Sequence, residues 1–324
     1  NTIVENLTFR HFTDKGVSVG GSDDCIVRNN HFEHNVTGVS AWNSANVLIT
    51  NNTFNHQLMK SIALSASSDF DVQNSVVEKN QMTNTAMYPL YGRRYDGVYQ
   101  GIGISVFGRA YTVRQNTIEN TSHAGMNLKN DGHHLIENNV IRRALLLLND
   151  GGAVVIGANG NRIIGNFLLE SVGNVDESNG CGSTTNDPCM HHPSYGMGIG
   201  ANNNFKDNVI EGNTVANNVH QGIRLNAFIN TTVRNNVIYN NKNQIVIEDK
   251  KGPSHSNVVE GNIIYPLHPD QIGLSLTNDT NHGSFDNNFY CNPYSEVVVI
   301  REKKRYALAH WQSAFAPLDK QSKS

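Results

Sequence analysis

The sequence predicts an all-β chain that folds as a single-stranded right-handed parallel β-helix of about ten to eleven coils, with two loop insertions and a C-terminal capping segment. Three observations predict this fold: a strand motif containing Asn that recurs through the 324 residues, a second strand in each repeat that follows a glycine, and copies of the motif spaced 22 residues apart. We expect the helix to occupy residues 1–300 and the capping tail to occupy residues 301–324.

The first strand motif places apolar residues at alternate positions and then one or two Asn. Its copies include IVRNNHF, VLITNNTF, YTVRQNTI, HLIENNVI, TTVRNNVI and NVVEGNII. Asn29 and Asn51 lie 22 residues apart, as do Asn213 and Asn235. Asn tolerates the left-handed backbone of a tight turn, and stacked amides can hydrogen-bond along a column. We therefore interpret the Asn columns as structural.

The second strand of each repeat follows a glycine, as in GVSV, GVSA, GISV, GMNL, GIRL and GLSL. Alternation along GIRL places Ile223 and Leu225 inward and Arg224 outward. Stacked coils bury the inward rows as one continuous core, which a single coil cannot form. The tail RYALAHWQSAF is the one helix-like segment, and we expect it to cover the open end of the β-helix.

Composition and charge exclude several classes of protein. The formal net charge is −3 and no cluster of Lys and Arg suggests a surface that follows a phosphate backbone, so we expect no nucleic-acid partner. No stretch of about 18 apolar residues is present, so we expect no membrane partner. The chain opens directly into the strand pattern NTIVENLTF, which favours a mature or trimmed protein, secreted or periplasmic. We expect a monomer rather than a trimer.

The four cysteines are Cys25, Cys181, Cys189 and Cys291. The segment CGSTTNDPC places Cys181 and Cys189 at the two ends of a short polar loop, which favours a disulfide between them. Two free thiols are the alternative. Cys25 lies in a strand pattern, where we expect a buried and unreactive thiol.

Two insertions interrupt the repeat. The first, AMYPLYGRRYDGVYQ, covers residues 86–100, and the second, GNVDESNGCGSTTNDPCMHHPSY, covers residues 173–195. Both precede a strand that begins with glycine, so we expect them to wall a groove across one sheet. Aromatic rings with Arg and His suit a sugar, and we assign substrate binding to Arg94 and Tyr95. The alternative is that both insertions only cover an edge of the coil.

Polar side chains that we expect to face outward on this sheet concentrate in the middle coils. They are His123, Asn127, Lys129, Asp150, His220, Arg224, Asn226 and Glu248. The matching places in the outer coils hold Ser18, Ser40, Ala63 and Ser275. The pattern predicts a site for chemistry at the centre of the β-helix.

An acidic residue among His, Lys and Arg is typical of a sugar-cleaving site, and we predict a glycoside hydrolase acting on a polysaccharide or oligosaccharide. Asp150 would be its nucleophile or base, with His220 as a further catalytic residue and Glu170 or Glu177 as proton donor. His123, Asn127, Lys129, Arg224 and Asn226 would bind the substrate. The alternative to a catalytic role for Asp150 is an Asx turn before Gly151. The alternative for Glu170 and Glu177 is that each is an ordinary surface carboxylate.

Two other functions use the same groove. The cationic residues could neutralise a uronate carboxylate while Lys, His or Tyr removes the neighbouring proton, which is the chemistry of a polysaccharide lyase or a uronate epimerase. A β-helix with aromatic loops can also hold a glycan without cutting it, as a non-catalytic adhesin or tailspike-like protein.

Metal sites and cofactors are not indicated. The doublets His133–His134 and His191–His192 point to opposite faces of an extended chain, so neither doublet alone provides two ligands. We expect no cofactor. A structural calcium bound by Asp and Asn oxygens is the alternative, although the sequence has no ordered D-x-D-x-D loop.

The segment LLNDGGAVVIGANGNRIIGNFL resembles a group of right-handed β-helix glycoside hydrolases that includes β-xylosidase and fucosidase families. In those families a D-G-G strand carries a catalytic aspartate, so the resemblance implies Asp150 as the nucleophile. The families also tend to carry an acidic residue just after the next such strand, whereas GMGIGANNNF has Asn202, Asn203 and Asn204 there. The tail LAHWQSAFAPLDKQS, with Trp311 and Asp319, is similar to a structural closing segment of carbohydrate-active β-helix proteins.

Overall fold

The computed structural model is a right-handed parallel β-helix, as the sequence predicts, and it describes residues 2–70, 72–88, 100–176, 194–278 and 281–324. Three strands from each coil enter three parallel sheets, which we call sheets A, B and C. Sheets A and B each have 11 strands and sheet C has 12. In this part of the chain, no helix is long and apolar enough to cross a bilayer.

Sheet A contains β1 (Thr2–Glu5), β4 (Cys25–Arg28), β7 (Leu48–Thr50), β10 (Val76–Glu78), β13 (Thr112–Arg114), β16 (Leu135–Glu137), β19 (Arg162–Ile164), β22 (Val209–Glu211), β25 (Thr232–Arg234), β28 (Asn257–Glu260) and β31 (Gly283–Asp286). Sheet B contains β2 (Thr8–Arg10), β5 (His31–Glu33), β8 (Thr53–Asn55), β11 (Gln81–Thr85), β14 (Thr117–Thr121), β17 (Val140–Arg142), β20 (Phe167–Leu169), β23 (Thr214–Ala216), β26 (Val237–Tyr239), β29 (Ile263–Tyr265) and β32 (Phe289–Tyr290).

Sheet C contains β3 (Lys15–Gly20), β6 (Thr37–Trp42), β9 (Lys60–Ser65), β12 (Ile102–Arg109), β15 (Met126–Gly132), β18 (Gly151–Ala158), β21 (Gly196–Lys206), β24 (Gln221–Ile229), β27 (Asn243–Glu248), β30 (Ile272–Leu276), β33 (Val297–Arg301) and β34 (Lys304–Ala307). The glycine of the second strand motif lies within a strand of this sheet, as Gly16 does in β3, or directly before one, as Gly125 does before β15. The strands β9 and β27 contain no glycine. Pairing is parallel throughout sheet C except between β33 and β34, which are antiparallel.

The two Asn of the recurring motif have different structural roles. The first Asn of the pair, such as Asn29 or Asn138, has a positive φ of 55° or 54°, and Gly165 takes the equivalent place with φ 65°. The second Asn is buried, and its amide Nδ2 donates to the Oδ1 of the equivalent Asn in the next coil at 2.9–3.1 Å. This amide ladder consists of Asn30, Asn52, Asn80, Asn116, Asn139, Asn166, Asn213, Asn236, Asn262 and Asn288. Both predicted reasons for the Asn columns are therefore present in the structure.

The C-terminal segment packs on the last coil. Helix α1 (Leu308–Ala314) buries Leu308 and Trp311. The indole Nε1 of Trp311 donates to Asp319 Oδ2 at 2.7 Å, and the hydroxyl of Tyr290 also donates to the Asp319 carboxylate. Since Asp319 is fully buried, these donors and that of Ser322 satisfy its carboxyl oxygens at the end of the core.

Candidate functional site

Two cavities open side by side on the outward face of sheet C, in the middle coils. The first, of about 450 Å³, is lined by His123, Asn127, Lys129, Asp150, Gly151, Val155, Ile156, Gly157, Met197, Gly200, Asn203 and Phe205. The second, of about 400 Å³, is lined by Asp150, Tyr195, Asn203, Arg224, Asn226, Lys250 and Lys251. Because Asp150 and Asn203 line both cavities, we treat the two as one site and call it the central groove.

Strand alternation places the polar residues in the groove. In β15, Met126 and Leu128 lie in the core while Asn127 and Lys129 line the cavity. In β24, Ile223 and Leu225 lie in the core, and the residues that follow them, Arg224 and Asn226, line the second cavity. The inward and outward positions predicted from the glycine in these two strands are therefore those seen in the structure.

Asp150 precedes β18 with a positive φ of 55°, and it lies beside the buried ring of His123. A Cβ on Gly151 would lie 3.0 Å from His123 Nε2, so the glycine permits this close approach. Burial lowers the pKa of His123 to about 4, against the opposing effect of the Asp150 charge. His123 is therefore a neutral imidazole at neutral pH.

A buried ion pair forms one side of the groove. Arg224 and Glu248 are 7% and 5% exposed, and the Arg224 Nε and Nη2 donate to Glu248 Oε2 at 3.0 and 2.8 Å. Lys250 Nζ donates to the other carboxylate oxygen, Oε1, at 3.0 Å. Burial alone would raise the pKa of Glu248, but the two cations outweigh it and the pKa is lowered. Glu248 therefore stays ionised and neutralises part of the positive charge.

Tyr195 and His220 form an aromatic pair, of which Tyr195 reaches the second cavity. Their ring centroids lie 4.6 Å apart at an interplanar angle of 57°, and Tyr195 lines the second cavity. The backbone N–H of Tyr195 donates to Asn149 Oδ1 at 2.6 Å, which fixes the segment that leads into β21. Burial lowers the pKa of His220, and the charges of Lys242 and Arg224 act in the same direction, which favours a neutral ring.

Asn127 carries an unsatisfied acceptor in the first cavity. The side chain is 3% exposed, and Asn127 Oδ1 has no hydrogen-bond partner among the described residues. A buried carbonyl oxygen without a donor is costly. A hydroxyl group of a bound ligand could satisfy it.

One predicted site residue, Glu170, lies away from the groove, and two others lie outside the described residues. Glu170 lies after β20 in sheet B, where its carboxylate accepts hydrogen bonds from Arg142 Nε and Nη2 at 2.9 and 3.0 Å and lines a different cavity. The expectation that Glu170 is a proton donor in the groove is corrected, because its carboxylate is paired with Arg142 on sheet B. Arg94 and Tyr95 lie outside the described residues, as do Glu177 and the predicted pair Cys181 and Cys189.

The groove also contains residues that sequence reasoning did not select: Tyr195, Asn203, Lys250 and Lys251. Tyr195 ends the second insertion, and the two lysines follow β27 in a connection longer than most, so departure from the repeat was the available signal. Lys60 is a further cation of sheet C, in β9, which is separated from β15 by one strand. Burial, and to a lesser extent the charge of Lys129, lowers the pKa of Lys60.

The charge of the described groove is predominantly positive. Its lining includes the cations Lys129, Arg224, Lys250 and Lys251 and the carboxylate of Asp150. Glu248, which pairs with Arg224 and Lys250, is a second described carboxylate at the groove. Over the same described ranges, no group of three or more His, Cys, Asp and Glu side chains could hold a metal ion. The arrangement therefore suits an anionic ligand with hydroxyl groups.

Two family models match the chain, each over more than half of its length. Residues 100–290 match the model described as the right handed beta helix region, and residues 1–188 match the model of the periplasmic copper-binding protein (NosD). Among curated proteins, none matches the chain.

Several solved structures share the fold. The periplasmic alginate epimerase AlgG, as a double mutant, is 13% identical with a TM-score of 0.56, over 88% of this chain and 67% of that protein. The PL6 family alginate lyase AlyGC is 14% identical with a TM-score of 0.52, over 89% of this chain and 39% of the lyase. The tailspike protein of E. coli bacteriophage HK620, in complex with a pentasaccharide, is 10% identical with a TM-score of 0.55, over 87% and 49%.

This chain thus spans less than two thirds of the length of the lyase and the tailspike, and likeness at these identities concerns the fold alone. The two family models match the sequence itself, and together they cover residues 1–290. The chain belongs to the right-handed β-helix proteins that these two family models describe.

Proposed function

We propose that this chain is a carbohydrate-active protein that binds an acidic polysaccharide in the central groove and cleaves it by β-elimination. The observation that carries the proposal is the set of four cations, Lys129, Arg224, Lys250 and Lys251. They outnumber the two carboxylates described at the groove, those of Asp150 and of Glu248, which pairs with Arg224 and Lys250. A uronate polymer supplies the carboxylates that such a groove would bind.

Each step of β-elimination has a candidate group. The cations hold the uronate carboxylate and stabilise the negative charge that develops when its α-proton, on C5, is removed. The Tyr195–His220 pair transfers the proton: Tyr195 lines the groove, and the neutral ring of His220 lies against it. The electron pair of the C5–H bond forms the C4=C5 double bond as the C4–O bond breaks, and the leaving oxygen takes the proton that the Tyr195–His220 pair has removed from C5.

The fold neighbours are compatible with this class of chemistry. Proteins named as an alginate lyase and an alginate epimerase adopt the same fold, and both act on a uronate polymer by name. Epimerisation and elimination begin with the same proton removal, so the groove would serve either reaction. One of the two family models and the epimerase are named as periplasmic, which supports a periplasmic or secreted location.

A glycoside hydrolase is the second candidate, favoured by the position of Asp150 between the two cavities. Hydrolysis needs two carboxyl groups that flank the glycosidic bond. Among the described residues that line the groove, Asp150 is the one carboxylate, and Glu248 is engaged by Arg224 and Lys250. A non-catalytic glycan-binding protein is the third candidate.

Copper, which one family name mentions, does not fit the described residues. Imidazole and thiolate groups would have to converge on the ion. The three neighbouring rings of His11, His34 and His56 stack face to face at 5.4 and 5.3 Å, so their in-plane nitrogens do not converge. Cys25 and Cys291 are free thiols at opposite ends of the β-helix. We derive no step through copper.

The test is an assay of the protein on polymannuronate, polyguluronate, polygalacturonate and a neutral glucan. Near-ultraviolet absorbance reports the unsaturated product of a lyase, and new reducing ends without absorbance report a hydrolase. Deuterium uptake at C5 in D₂O, without cleavage, reports an epimerase. We expect absorbance with at least one polyuronate and none with the glucan.

The variants Tyr195→Phe and Asp150→Asn assign the chemistry, and Glu170→Gln is the matched control outside the groove. We expect Tyr195→Phe to lose at least about 100-fold in kcat, as removal of a general acid–base group does, while Glu170→Gln retains wild-type rates. Reducing ends without absorbance, abolished by Asp150→Asn but not by Tyr195→Phe, would establish the hydrolase instead. Binding without any product would establish a glycan-binding protein.

A further inference from the structure

An outward row of sheet C connects the central groove with an aromatic surface in the N-terminal coils. Register pairs Gly20 with Trp42, Trp42 with Ser65, Ser65 with Phe107, and Phe107 with Lys129. These residues alternate with core residues such as Val106 and therefore share the outward face. We call the row from Trp42 to Lys129 the aromatic row.

Trp42 presents a large apolar ring to solvent. Its exposed fraction is 55%, whereas the other tryptophan of the chain, Trp311, is fully buried. No aromatic ring of another described residue packs on Trp42. An exposed indole with one polar N–H is a typical surface for a ligand that is apolar on one face and polar at its edges.

The aromatic row leads directly into the groove. Lys129 Nζ lies 5.6 Å from the ring centroid of Phe107, so the cation that lines the first cavity also covers the next aromatic ring of the row. Three strand spacings separate Trp42 from Lys129, which amounts to about 14 Å along the β-helix. This distance exceeds what one sugar ring spans, so a ligand that contacts both residues must be an oligomer.

The neighbouring outward row gives the surface a flat and polar floor. Register aligns Ser40, Ala63, Ser105 and Asn127, which are small or unbranched. Ser105 Oγ and Asn127 Oδ1 are buried and have no hydrogen-bond partner among the described residues. Adjacent unsatisfied groups of this kind are typical of a surface that a hydroxyl-bearing ligand completes.

We propose that the aromatic row is a distal subsite that binds sugar rings of the same uronate polymer, so that the protein engages its substrate at an internal position of a long chain. Trp42 stacks on the apolar face of a sugar ring, Ser105 and Asn127 bind hydroxyl groups, and Lys129 binds the carboxylate nearest the groove. This proposal rests on the proposed function and adds to it the polymeric, internally bound form of the substrate.

Tryptophan fluorescence tests the subsite directly, because Trp42 is the exposed tryptophan and Trp311 is shielded. Acrylamide quenching is measured with mannuronate and guluronate oligomers of increasing length, with the polymers, and with a neutral glucan. We expect long uronate chains to protect Trp42 from the quencher, while dimers that fill only the groove leave quenching unchanged.

The variant Trp42→Ala should weaken the Kd or raise the KM for long chains about tenfold, with dimers unaffected. Trp42→Phe should recover most of the loss. Phe167→Ala is the matched control, because Phe167 is a 50% exposed aromatic residue in sheet B. We expect Phe167→Ala to bind long chains like the wild type.

The subsite and the groove fail in different ways. If the wild type cleaves polyuronates while Trp42 stays fully quenchable and Trp42→Ala behaves like the wild type, the distal subsite is wrong and the proposed function stands. If long chains protect Trp42 but nothing is cleaved or epimerised, the subsite stands and the proposed reaction is wrong. If no uronate chain binds, both are wrong.

Discussion

Arg224 and Glu248 illustrate how single residues in the groove combine binding with stability. Both side chains are almost fully buried, and both hydrogen bonds from the guanidinium reach one carboxylate oxygen. The attraction between two buried charges is largely offset by the loss of their hydration, but an unpaired buried charge has no such compensation. The pair therefore holds the guanidinium in place at the edge of the groove.

We predict that Glu248→Ala destabilises the fold by about 3 to 5 kcal/mol, because it leaves the Arg224 guanidinium buried without its carboxylate. The double variant Arg224→Met/Glu248→Leu should lose much less, since no buried charge remains. Thermal unfolding of the single and double variants measures the difference. Equal losses in both would show that packing, and not charge pairing, dominates.

His134 occupies the buried position before β16 that Asn161 and Asn208 occupy before the next two strands of sheet A, β19 and β22. Its ring Nδ1 accepts a hydrogen bond from the backbone N–H of Tyr111 at 3.3 Å, and the backbone N–H of His134 donates to Asn161 Oδ1 at 3.1 Å. Burial lowers the pKa of His134 to about 4. Protonation would remove the acceptor, so the fold requires the neutral ring.

We predict that this histidine makes the fold sensitive to acid. Because the pKa is about 4 in the fold and 6.5 in the unfolded chain, the unfolded chain binds the proton first, and stability falls as the pH drops from 6.5 to 4. The loss amounts to up to about 3 kcal/mol. His134→Asn keeps an acceptor at the same place and should reduce this loss when unfolding is measured at pH 7, 5.5 and 4. His255→Asn, at an exposed position, should keep the wild-type pH dependence.

At the scale of the elements, the corner between sheets A and B depends on two neighbouring residues with separate functions. Asn138 supplies a left-handed backbone, and Asn139 supplies the rung of the amide ladder. Asn139 Nδ2 donates to Val113 O and Glu137 O, and its Oδ1 accepts both the N–H and the Nδ2 of Asn116. Every polar atom of this side chain is therefore satisfied within the core.

We predict opposite outcomes for these neighbours. Asn139→Ala should cost about 2 to 4 kcal/mol, because it leaves several buried donors and acceptors without partners. Asn138→Gly should change stability by less than about 1 kcal/mol, because glycine adopts positive φ readily and Gly165 already occupies the equivalent place. Denaturant unfolding of both variants measures the contrast, and a large loss in Asn138→Gly would show that the Asn138 side chain contributes more than its backbone.

At the scale of the whole molecule, each coil buries its core against its neighbours, so the last coil needs a cover of a different kind. The C-terminal segment provides it with the fully buried Trp311 and Asp319, whose side chains are hydrogen-bonded to each other. The tail expected to be structural thus packs as a cap, and the exposed Trp42 lies far from it in the N-terminal coils.

We predict that Trp311→Ala destabilises the protein by about 3 to 5 kcal/mol, as truncation of a buried aromatic residue does. Trp42→Ala should change stability by less than about 0.5 kcal/mol, because its ring is mostly exposed. Thermal unfolding of the two variants checks both, and comparable losses would mean that Trp42 also supports the fold.

The sequence by itself determined the architecture, because the repeat is local. Apolar alternation, the Asn pair and the glycine found at most sheet C strands are set within about 22 residues. The period of two then fixes which side chains face outward, as with Arg224 beside Ile223 and Leu225. The same reasoning correctly placed Asp150, Lys129 and Asn226 on one face.

The tertiary structure alone decided which outward residues meet. Tyr195, Lys250 and Lys251 enter the groove from connections whose paths no period constrains, and Glu170 is engaged by Arg142 on another sheet. The pairing of charges was also undecided: the sequence predicts that Glu248 faces outward, and only the stacking of the coils pairs it with Arg224. Local periodicity thus determines the fold and which side chains face outward. Contacts between residues from different coils and connections determine the chemistry of the site.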